Sequence, residues 1–289
     1  MLTTTNIRAS MLPGYADCAR RAAAKQYRAE VESAGFTLRQ TLPSIGASVG
    51  TAAHLVAARH WQAILAGQEP DQARAMDEAM TGLQEEIAPG CIWDDTTPSL
   101  DAARFQLDRI VRAYTLGTAR GVRPLAVELS LRADVGDGFT LTGHIDLVAS
   151  WPAPDEPAAW IRDLKTGATA RNVYQAQLGG YALLYRSLPE ALPVGAVGVD
   201  WIRRTPRTRP QDQGQRFDYS SGACERAGWA MIQRIKEDLL EFRRTGNPWA
   251  FMANATSMMC GPKYCPAHGT DFCEMGTCGL EPRNTSRAA

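Results

Sequence analysis

Residues 143–181 read GHIDLVASWPAPDEPAAWIRDLKTGATARNVYQAQLGGY, and this stretch decides the fold. It predicts a strand that carries Asp146, a second strand that carries Asp163 and Lys165, and then a helix over 172–187. Because residues i and i+2 of a strand lie on one face, Asp163 and Lys165 should project side by side. Asp146, on an adjacent strand, can meet them. The stretch therefore predicts two carboxylates and a lysine at one place on a sheet.

This set of side chains suits a divalent cation and phosphate chemistry. Two converging carboxylates repel each other, and a cation between them removes the repulsion. Oxygen ligands suit Mg²⁺ or Mn²⁺, and an added imidazole from His54 shifts the preference toward Mn²⁺. A lysine beside the cation can help to orient a nucleophile and neutralise charge that develops on a phosphate. Taken singly these motifs are common, since an exposed D-x-K pair is usually an ion pair worth about 0–1 kcal/mol. Taken together they favour metal-assisted hydrolysis of a phosphodiester bond.

The rest of the chain places these strands in an α/β fold. The hydrophobic periodicity predicts helices over 10–34, 48–65, 71–87, 99–119 and 221–245 and strands over 124–135, 139–150, 159–166, 194–204 and 216–220. Gly136-Asp137-Gly138 predicts a hairpin between the first two strands. We therefore expect an N-terminal helical region (1–120), an α/β core (121–246) and a Cys-rich tail (247–289), forming one integrated domain.

Charge and lysine usage narrow the function further. The 289 residues carry 31 basic and 31 acidic side chains, so a domain-wide basic excess does not argue for a nucleic-acid partner, although a local basic track can still exist. Only four basic residues are lysines: Lys25, Lys165, Lys236 and Lys263. Lys165 is the only lysine between residues 26 and 235, which is consistent with a position that requires an ammonium rather than a guanidinium.

The sequence predicts a cytoplasmic protein. Its start lacks the basic and apolar regions of a secretory signal. No stretch approaches the ~18 apolar residues that a membrane span requires.

The motifs, in their order along the chain, resemble those of the PD-(D/E)XK nuclease superfamily, and most closely its RecB-like exonucleases. The resemblance covers roughly residues 8–280 and rests on G-x-x-x-H at 50–54, G-x-I-D at 143–146, D-x-K at 163–165 and Q-x-x-x-Y at 177–181. It implies a restriction-endonuclease-like core, a mixed central sheet flanked by helices. It also implies roles for particular residues: metal ligation by His54, Asp146 and Asp163, catalysis by Lys165, site shaping or DNA contact by Gln177 and Tyr181, and a supporting role for Glu128.

The cysteines are unevenly distributed. Four of the seven fall within 260–278, and in a cytosolic chain such a cluster favours a shared metal centre over scattered buried thiols. The chain further resembles AddB-type and CRISPR-adaptation nucleases, which hold a [4Fe–4S] cluster with one cysteine before the nuclease motifs and three after them. By that resemblance the ligands are Cys18, Cys260, Cys265 and Cys273.

The ligand set leaves alternatives open. The spacing C-x₄-C-x₇-C departs from the usual compact C-x₂-C-x₅-C, so Cys278 can replace Cys273. The four tail cysteines, with or without His268, can instead bind Zn²⁺ and leave Cys18 out. Either group would hold the chain ends together, because from its sequence we expect the tail to lack the apolar residues needed to dock by itself. The role expected for it is structural.

The predicted nucleic-acid contacts lie where the strand over 194–204 runs into an Arg-rich loop. Arg203, Arg204 and Arg207 can contact phosphates and Trp201 can stack a base. We expect a metal-dependent exonuclease that acts on single-stranded DNA or DNA ends, without sequence preference, in recombination, repair or phage DNA metabolism. Two alternatives are a non-catalytic, metal-stapled DNA-binding or assembly subunit of a repair or CRISPR-adaptation complex, and a restriction-type endonuclease. A second copy of the chain or a recombination complex are further partners that the sequence leaves open.

Overall fold

The structure is a computed structural model, and it describes residues 4–152, 157–168 and 173–274. Within these residues six strands form one sheet: β1 (Thr5–Arg8), β2 (Pro124–Gly136), β3 (Phe139–Ser150), β4 (Ala159–Gly167), β5 (Val194–Arg203) and β6 (Gln215–Tyr219). The α-helices are α1 (Leu12–Asp17), α2 (Ala19–Gln26), α3 (Arg28–Ser33), α4 (Ile45–Leu65), α5 (Gln72–Ile87), α6 (Leu100–Ala113), α7 (Gln175–Arg186) and α8 (Ser221–Thr245). Short 3₁₀ turns cover Ala9–Met11 and Pro248–Ala250, and a π turn, Tyr114–Thr118, follows α6.

The sheet is mixed, as the sequence predicts. Strand β3 pairs antiparallel with β2 along one edge and antiparallel with β4 along the other, and β4 continues into a parallel pair with β5. Strand β6 closes the sheet antiparallel to β5. The short β1 pairs parallel with the first four residues of β3. The α/β class with a mixed central sheet flanked by helices is therefore confirmed.

A gap in the pairing of β3 makes room for the functional residues. Residues 139–142 of β3 pair with β1, whereas residues 147–150 pair with β4. Since β2 occupies the opposite edge of β3, β1 and β4 share one edge and leave residues 143–146 between them. The segment without a ladder partner on that edge is Gly-His-Ile-Asp. Beyond the gap β4 pairs only with β5, and this separation opens the sheet at Asp146.

Helices α4, α5 and α6 pack on the sheet through an apolar core. Their buried faces join residues from β3, β4 and β5 in one cluster that includes Trp61, Leu107, Leu147 and Leu164. Trp61 Nε1 donates a hydrogen bond to the buried hydroxyl of Tyr114 at 2.8 Å. Burying aromatic and aliphatic side chains of this size contributes roughly 1.5–3 kcal/mol each. This core fixes α4 relative to β3 and β4. In the described residues no helix is long and apolar enough to cross a bilayer.

The chain divides into two compact units. The first contains Met1–Pro13 and Leu42–Ile232, and the second contains Gly14–Thr41 and Gln233–Ala289. Inside the second unit the rings of Phe36, Phe242, Phe251 and Phe272 contact one another, with centroids 5.2–6.2 Å apart. Phe251 and Phe272 are fully buried. The prediction that the tail has no apolar residues to dock by itself is therefore wrong. The predicted division into regions 1–120, 121–246 and 247–289 stays a prediction.

The predicted helix over 10–34 is also corrected. It is divided into α1, α2 and α3, with breaks at Cys18 and Tyr27. Cys18 has extended backbone angles (φ −157°, ψ 101°). The buried side chain of Arg20 donates hydrogen bonds to the backbone oxygens of Pro248 and Phe251. Such tertiary contacts override the helix propensity of an Ala- and Arg-rich stretch.

Candidate active site

Asp146 and Asp163 come together where β3 and β4 separate. The register pairs Leu147 with Arg162, and its continuation places Asp146 opposite Asp163. The carboxylate of Asp146 accepts the backbone N–H of Leu164 at 2.8 Å, so a side chain replaces the missing ladder bond. Asp163 is 1 % exposed. The predicted pair of carboxylates thus forms, and its position is set by the backbone of both strands.

Lys165 lies beside Asp163, as the strand period predicts. Its Nζ is 2.7 Å from Asp163 Oδ2. The other carboxylate oxygen accepts a hydrogen bond from Gln177 Nε2 at 3.2 Å, and the same amide donates to the Tyr181 hydroxyl at 2.8 Å. Gln177 and Tyr181 are one turn apart on α7 and both are buried. The four residues therefore form one hydrogen-bonded and ion-paired group.

Helix α4 brings His54 to the same place. Its Nδ1 is 3.2 Å from Asp146 Oδ2. The approach of the helix depends on a glycine one turn earlier, since a Cβ at Gly50 would lie only 3.0 Å from Thr166 Oγ1. Gly143 serves α7 in the same way, because a Cβ there would lie 2.5 Å from Leu184 Cδ1 and 3.1 Å from the Tyr181 ring. The glycines of both motifs thus permit close packing around the acidic pair.

The charges at this site are strongly coupled. Burial raises the pKa of Asp163 to about 6; Lys165 opposes this increase and Asp146 adds to it. Burial acts on Asp146 in the same direction, but His54 and Lys165 hold its pKa below the usual value. Burial alone would lower the pKa of His54 and of Lys165, and the two carboxylates raise both instead. The carboxylates therefore hold positive charge close to them.

The donor set fits a divalent cation. Two carboxylates and an imidazole are ligands that suit Mg²⁺ or Mn²⁺. Asp163 Oδ2 is buried and, within the described part of the chain, has no partner besides the ion pair with Lys165. Among the described residues no three His, Cys, Asp or Glu side chains are arranged to hold a single ion. Here Asp146 lies beside His54 and Asp163 lies beside Lys165. The residues that would hold a cation are therefore present, and in this structure Asp146 pairs with His54 and Asp163 with Lys165.

Glu128 and His144 extend the acidic site along β2 and β3. Glu128 hydrogen bonds to His144 Nε2, and Ser130 Oγ lies 2.7 Å from His144 Nδ1. Burial and the nearby Asp146 raise the pKa of Glu128. Sequence reasoning gave Glu128 a supporting role but assigned none to His144. The signal was available, because His144 lies two residues before Asp146 and therefore on the same face of β3.

Comparison with known proteins decides the family. The family model of the PD-(D/E)XK nuclease superfamily matches residues 8–270. The chain belongs to the PD-(D/E)XK nuclease superfamily. A crystal structure described as an exonuclease candidate from Eubacterium rectale has a similar fold, with a TM-score of 0.52 over 89 % of this chain and 87 % of that one, at 11 % identity. No curated protein matches in a sequence search.

Two further solved structures resemble parts of this PD-(D/E)XK chain only loosely. SSO0001 has a TM-score of 0.28 at 10 % identity and covers 62 % of this chain and 74 % of its own. LHK-Exo in complex with dAMP has a TM-score of 0.29 at 12 % identity, and the similarity covers 68 % of this chain and 95 % of that one. At such scores neither similarity carries an argument about this chain.

The predicted nucleic-acid contacts of this PD-(D/E)XK protein are only partly accessible. Trp201 is 3 % exposed, so it cannot stack a base as predicted. Arg204 is 8 % exposed and donates to both carboxylate oxygens of Asp94, so it cannot reach a phosphate. The predicted roles of Trp201 and Arg204 in DNA contact are therefore wrong. The Trp201 side chain lies in the core, and the sequence pattern of the strand does not show which of its faces other elements cover. Arg203 and Arg207 are exposed, and Arg203 pairs with Asp212 at 3.0 Å.

The four cysteines assigned to the cluster lie in the second unit, where Cys18, Cys260, Cys265 and Cys273 line one small cavity. Burial raises the pKa of Cys260 and of Cys265, and the nearby thiols of Cys18 and Cys273 add to both shifts. His268 also lines the cavity. Within the described residues, no three side chains of this cavity are arranged to hold a single ion either. Cys278 lies outside the described residues.

Proposed function

We propose that the protein is a metal-dependent DNA exonuclease that hydrolyses phosphodiester bonds of single strands or DNA ends. The observation that carries the proposal is the pair formed by the half-buried Asp146 and the buried Asp163, with Lys165 2.7 Å from Asp163. His54, Asp146 and Asp163 would hold Mg²⁺ or Mn²⁺. When bound, the cation supplies Lewis-acid polarisation of the phosphate and a lower pKa for an attacking water.

The protein's own side chains have separable tasks in this proposal. Lys165 places a positive charge where the phosphate gains negative charge. Gln177 fixes the orientation of Asp163 through the hydrogen bond to Oδ1, and Tyr181 fixes Gln177 in turn. Glu128 holds His144 beside the acidic pair. His54, which carries an imidazole on a separate helix, favours Mn²⁺ over Mg²⁺.

A nuclease assay with lysine variants tests the proposal. End-labelled single-stranded DNA should be shortened from its ends in Mn²⁺ or Mg²⁺ and left intact in chelator. Lys165→Ala should lower the rate at least a hundredfold, since it removes the group that neutralises transition-state charge. Lys263→Ala is the matched control, because Lys263 is exposed and lies outside the site. Full activity of Lys165→Ala would overturn the assignment.

The form of the products separates the rival functions. Cleavage of circular single-stranded DNA would favour an endonuclease of restriction type. Binding of DNA without cleavage in any divalent ion would favour a non-catalytic subunit of a repair or CRISPR-adaptation complex. The intact set of His54, Asp146, Asp163 and Lys165 argues against a non-catalytic subunit, because no ligand type is missing. The helix that carries Gln177 and Tyr181, together with the cysteines, argues against the restriction-type endonuclease.

We also propose a structural [4Fe–4S] cluster held by Cys18, Cys260, Cys265 and Cys273. The support is that these four thiols line one cavity. Each thiolate of such a cluster binds a different iron, so the four sulfurs need not converge on one point as they must around zinc. Iron, sulfide and visible absorption of anaerobically purified protein test it. One zinc per chain and no iron would establish the zinc alternative instead.

A further inference from the structure

Three cavities of the first unit adjoin one another, because each shares lining residues with the next. A cavity of about 830 Å³ lies between α5 and α6, one of about 530 Å³ lies at the end of α6, and one of about 450 Å³ lies beside the loop after β5. Arg112 and Leu116 line both the first and the second, and Asp212 lines both the second and the third. Ala168, three residues after Lys165, lines the third. We call this path, from the end of β4 to the α5–α6 cavity, the arginine groove.

The arginine groove has an excess of positive charge, although the chain as a whole is neutral. Eight arginines and five aspartates line it. Three of the aspartates pair with arginines of the groove, and Arg204 pairs with Asp94 outside it. Within the described part of the chain, four arginines of the groove have no carboxylate partner: Arg109, Arg120, Arg207 and Arg209. Groups that remain charged and unpaired along one path attract an extended anion.

An aromatic ring holds two of these unpaired arginines in the groove. The guanidinium of Arg109 lies 5.1 Å from the centroid of the Phe105 ring, and that of Arg207 lies 4.8 Å from the same centroid. Stacking on the ring stabilises each guanidinium but brings two like charges close together. An anion between or beside them would relieve that repulsion. Leu116, which is 76 % exposed, adds an apolar surface to the same groove.

We propose that the arginine groove binds a single-stranded stretch of the DNA substrate and connects it with the active site. This inference rests on the proposed function, and it names the surface that holds the strand away from the scissile bond. A duplex presents phosphates and keeps its bases stacked inside, whereas a single strand also exposes apolar base faces. Arginines interleaved with Phe105 and Leu116 match both parts of a single strand.

Binding of DNA without cleavage tests the inference. The triple variant Arg109→Gln, Arg120→Gln, Arg207→Gln removes three unpaired charges of the groove. The matched control is Arg8→Gln, Arg132→Gln, Arg226→Gln, which removes the same charge from exposed arginines outside the groove. Fluorescence anisotropy in chelator, with a labelled 30-nucleotide single strand, should show at least tenfold weaker binding for the groove variant. Its slope of log K against log salt should be smaller by about 2, at ~0.7 per lost phosphate contact.

Cleavage separates this inference from the proposed function. A tetranucleotide, too short to fill the groove, should be cut by the groove variant at the wild-type rate, whereas the KM for the 30-mer should rise about tenfold. An equal loss of affinity in the control triple, or none in the groove triple, would overturn the inference. An equal loss for a blunt duplex would make duplex DNA the occupant and overturn the single-strand assignment. If wild-type protein cleaves no DNA and the groove variant still loses binding, the proposed function fails and the groove stands.

Discussion

Glu128 has left-handed backbone angles in the middle of β2, with φ at +53°. A residue with a side chain rarely adopts this conformation, and it costs roughly 1–2 kcal/mol. The same residue hydrogen bonds to His144 and lies near Asp146. Strain that persists in a strand requires surrounding structure to hold it, and such strain is concentrated at functional sites. The backbone of Glu128 therefore supports a role for its carboxylate beside the acidic pair.

Because of this strain, glycine should stabilise position 128 more than alanine does, which is the reverse of their usual order in a strand. Glu128→Gly should be more stable to urea than Glu128→Ala by about 1 kcal/mol, because only glycine adopts φ +53° without cost. At Ser130, an exposed residue of the same strand, glycine should instead be less stable than alanine by about 0.5–1 kcal/mol. Both Glu128 variants should lose nuclease activity to a similar extent. If alanine is the more stable residue at 128, the strain is absent.

The Asp94–Arg204 pair gives a pH prediction. Burial would raise the pKa of Asp94, but hydrogen bonds and charge from Arg204 hold it below the usual value. A carboxyl whose folded pKa is lowered adds stability above its unfolded pKa, near 3.9, and loses it as the pH falls through the folded value. Asp94→Asn should therefore cost about 2 kcal/mol at pH 7, since it leaves the buried Arg204 without its carboxylate.

Urea unfolding of both proteins from pH 8 to 3.5 checks this prediction. The gap between wild type and Asp94→Asn should be constant down to about pH 5 and narrow below about pH 4. Asp71→Asn, at a helix N-cap where asparagine serves as well as aspartate, should cost little at neutral pH. A gap that widens in acid would contradict the assigned direction.

At the residue scale, the sequence predicted the positions that periodicity determines. Asp163 and Lys165 share a face because a strand alternates, and Gln177 and Tyr181 meet because a helix repeats after about four residues. The burial of Trp201 and Arg204 could not be predicted, because it depends on which elements cover β5. Asp94, the partner of Arg204, is 110 residues away in sequence, and no local pattern connects the two.

At the element scale, helices α7 and α8 cross at a point where glycines bring the two backbones together and leave no room for a Cβ atom. A Cβ at Gly179 would overlap the backbone carbonyl of Cys224, and one at Gly228 would lie 2.8 Å from the backbone nitrogen of Gly180. The glycines let the two helix backbones touch. Because α7 carries Gln177 and Tyr181, this crossing also sets the depth of both side chains in the site.

Replacing one of these glycines should therefore separate the helices. Gly179→Ala is expected to destabilise the protein by about 3 kcal/mol or more, since backbone atoms cannot move aside as a flexible side chain can. It should also raise the metal concentration needed for half-maximal cleavage, because Gln177 no longer orients Asp163. Gly82→Ala is the matched control, since that helical glycine has no neighbour within 4 Å. There alanine should stabilise by up to about 1 kcal/mol, as its helix propensity predicts.

The element boundaries were predictable where a strong local pattern exists and not where packing decides. Strands β2 and β3 and their Gly136–Gly138 hairpin follow from alternation and turn residues. Strand β1 has only four residues, one of them fully buried, so it carries too little pattern to be found. The break at Cys18 was hidden for the opposite reason, because the surrounding sequence is a good helix former.

At the scale of the whole molecule, a net charge of zero conceals two local charges of opposite sign. Asp146, Asp163 and Glu128 form an acidic site where a cation would bind, whereas the arginine groove collects four arginines without a carboxylate partner in the described part of the chain. The amino-acid composition averages over the acidic site and the arginine groove, so it predicts neither of them. Only the fold, which collects residues from α6, the π turn and the loop after β5, turns scattered arginines into one path.

The second unit joins two segments that are far apart in sequence, and the cysteines should hold them together. Gly14–Thr41 and Gln233–Ala289 are separated by nearly 200 residues of the first unit, so a group bound to both closes a very long loop. Cys273→Ala should lose the iron and its visible absorption, because Cys273 lines the cavity with the other three thiols. The variant should also unfold at a lower temperature. Cys224→Ala, at a buried thiol of the first unit, should keep the iron. Cys278→Ala should also keep the iron. If Cys278→Ala instead loses the iron and Cys273→Ala keeps it, the fourth ligand is Cys278 and not Cys273.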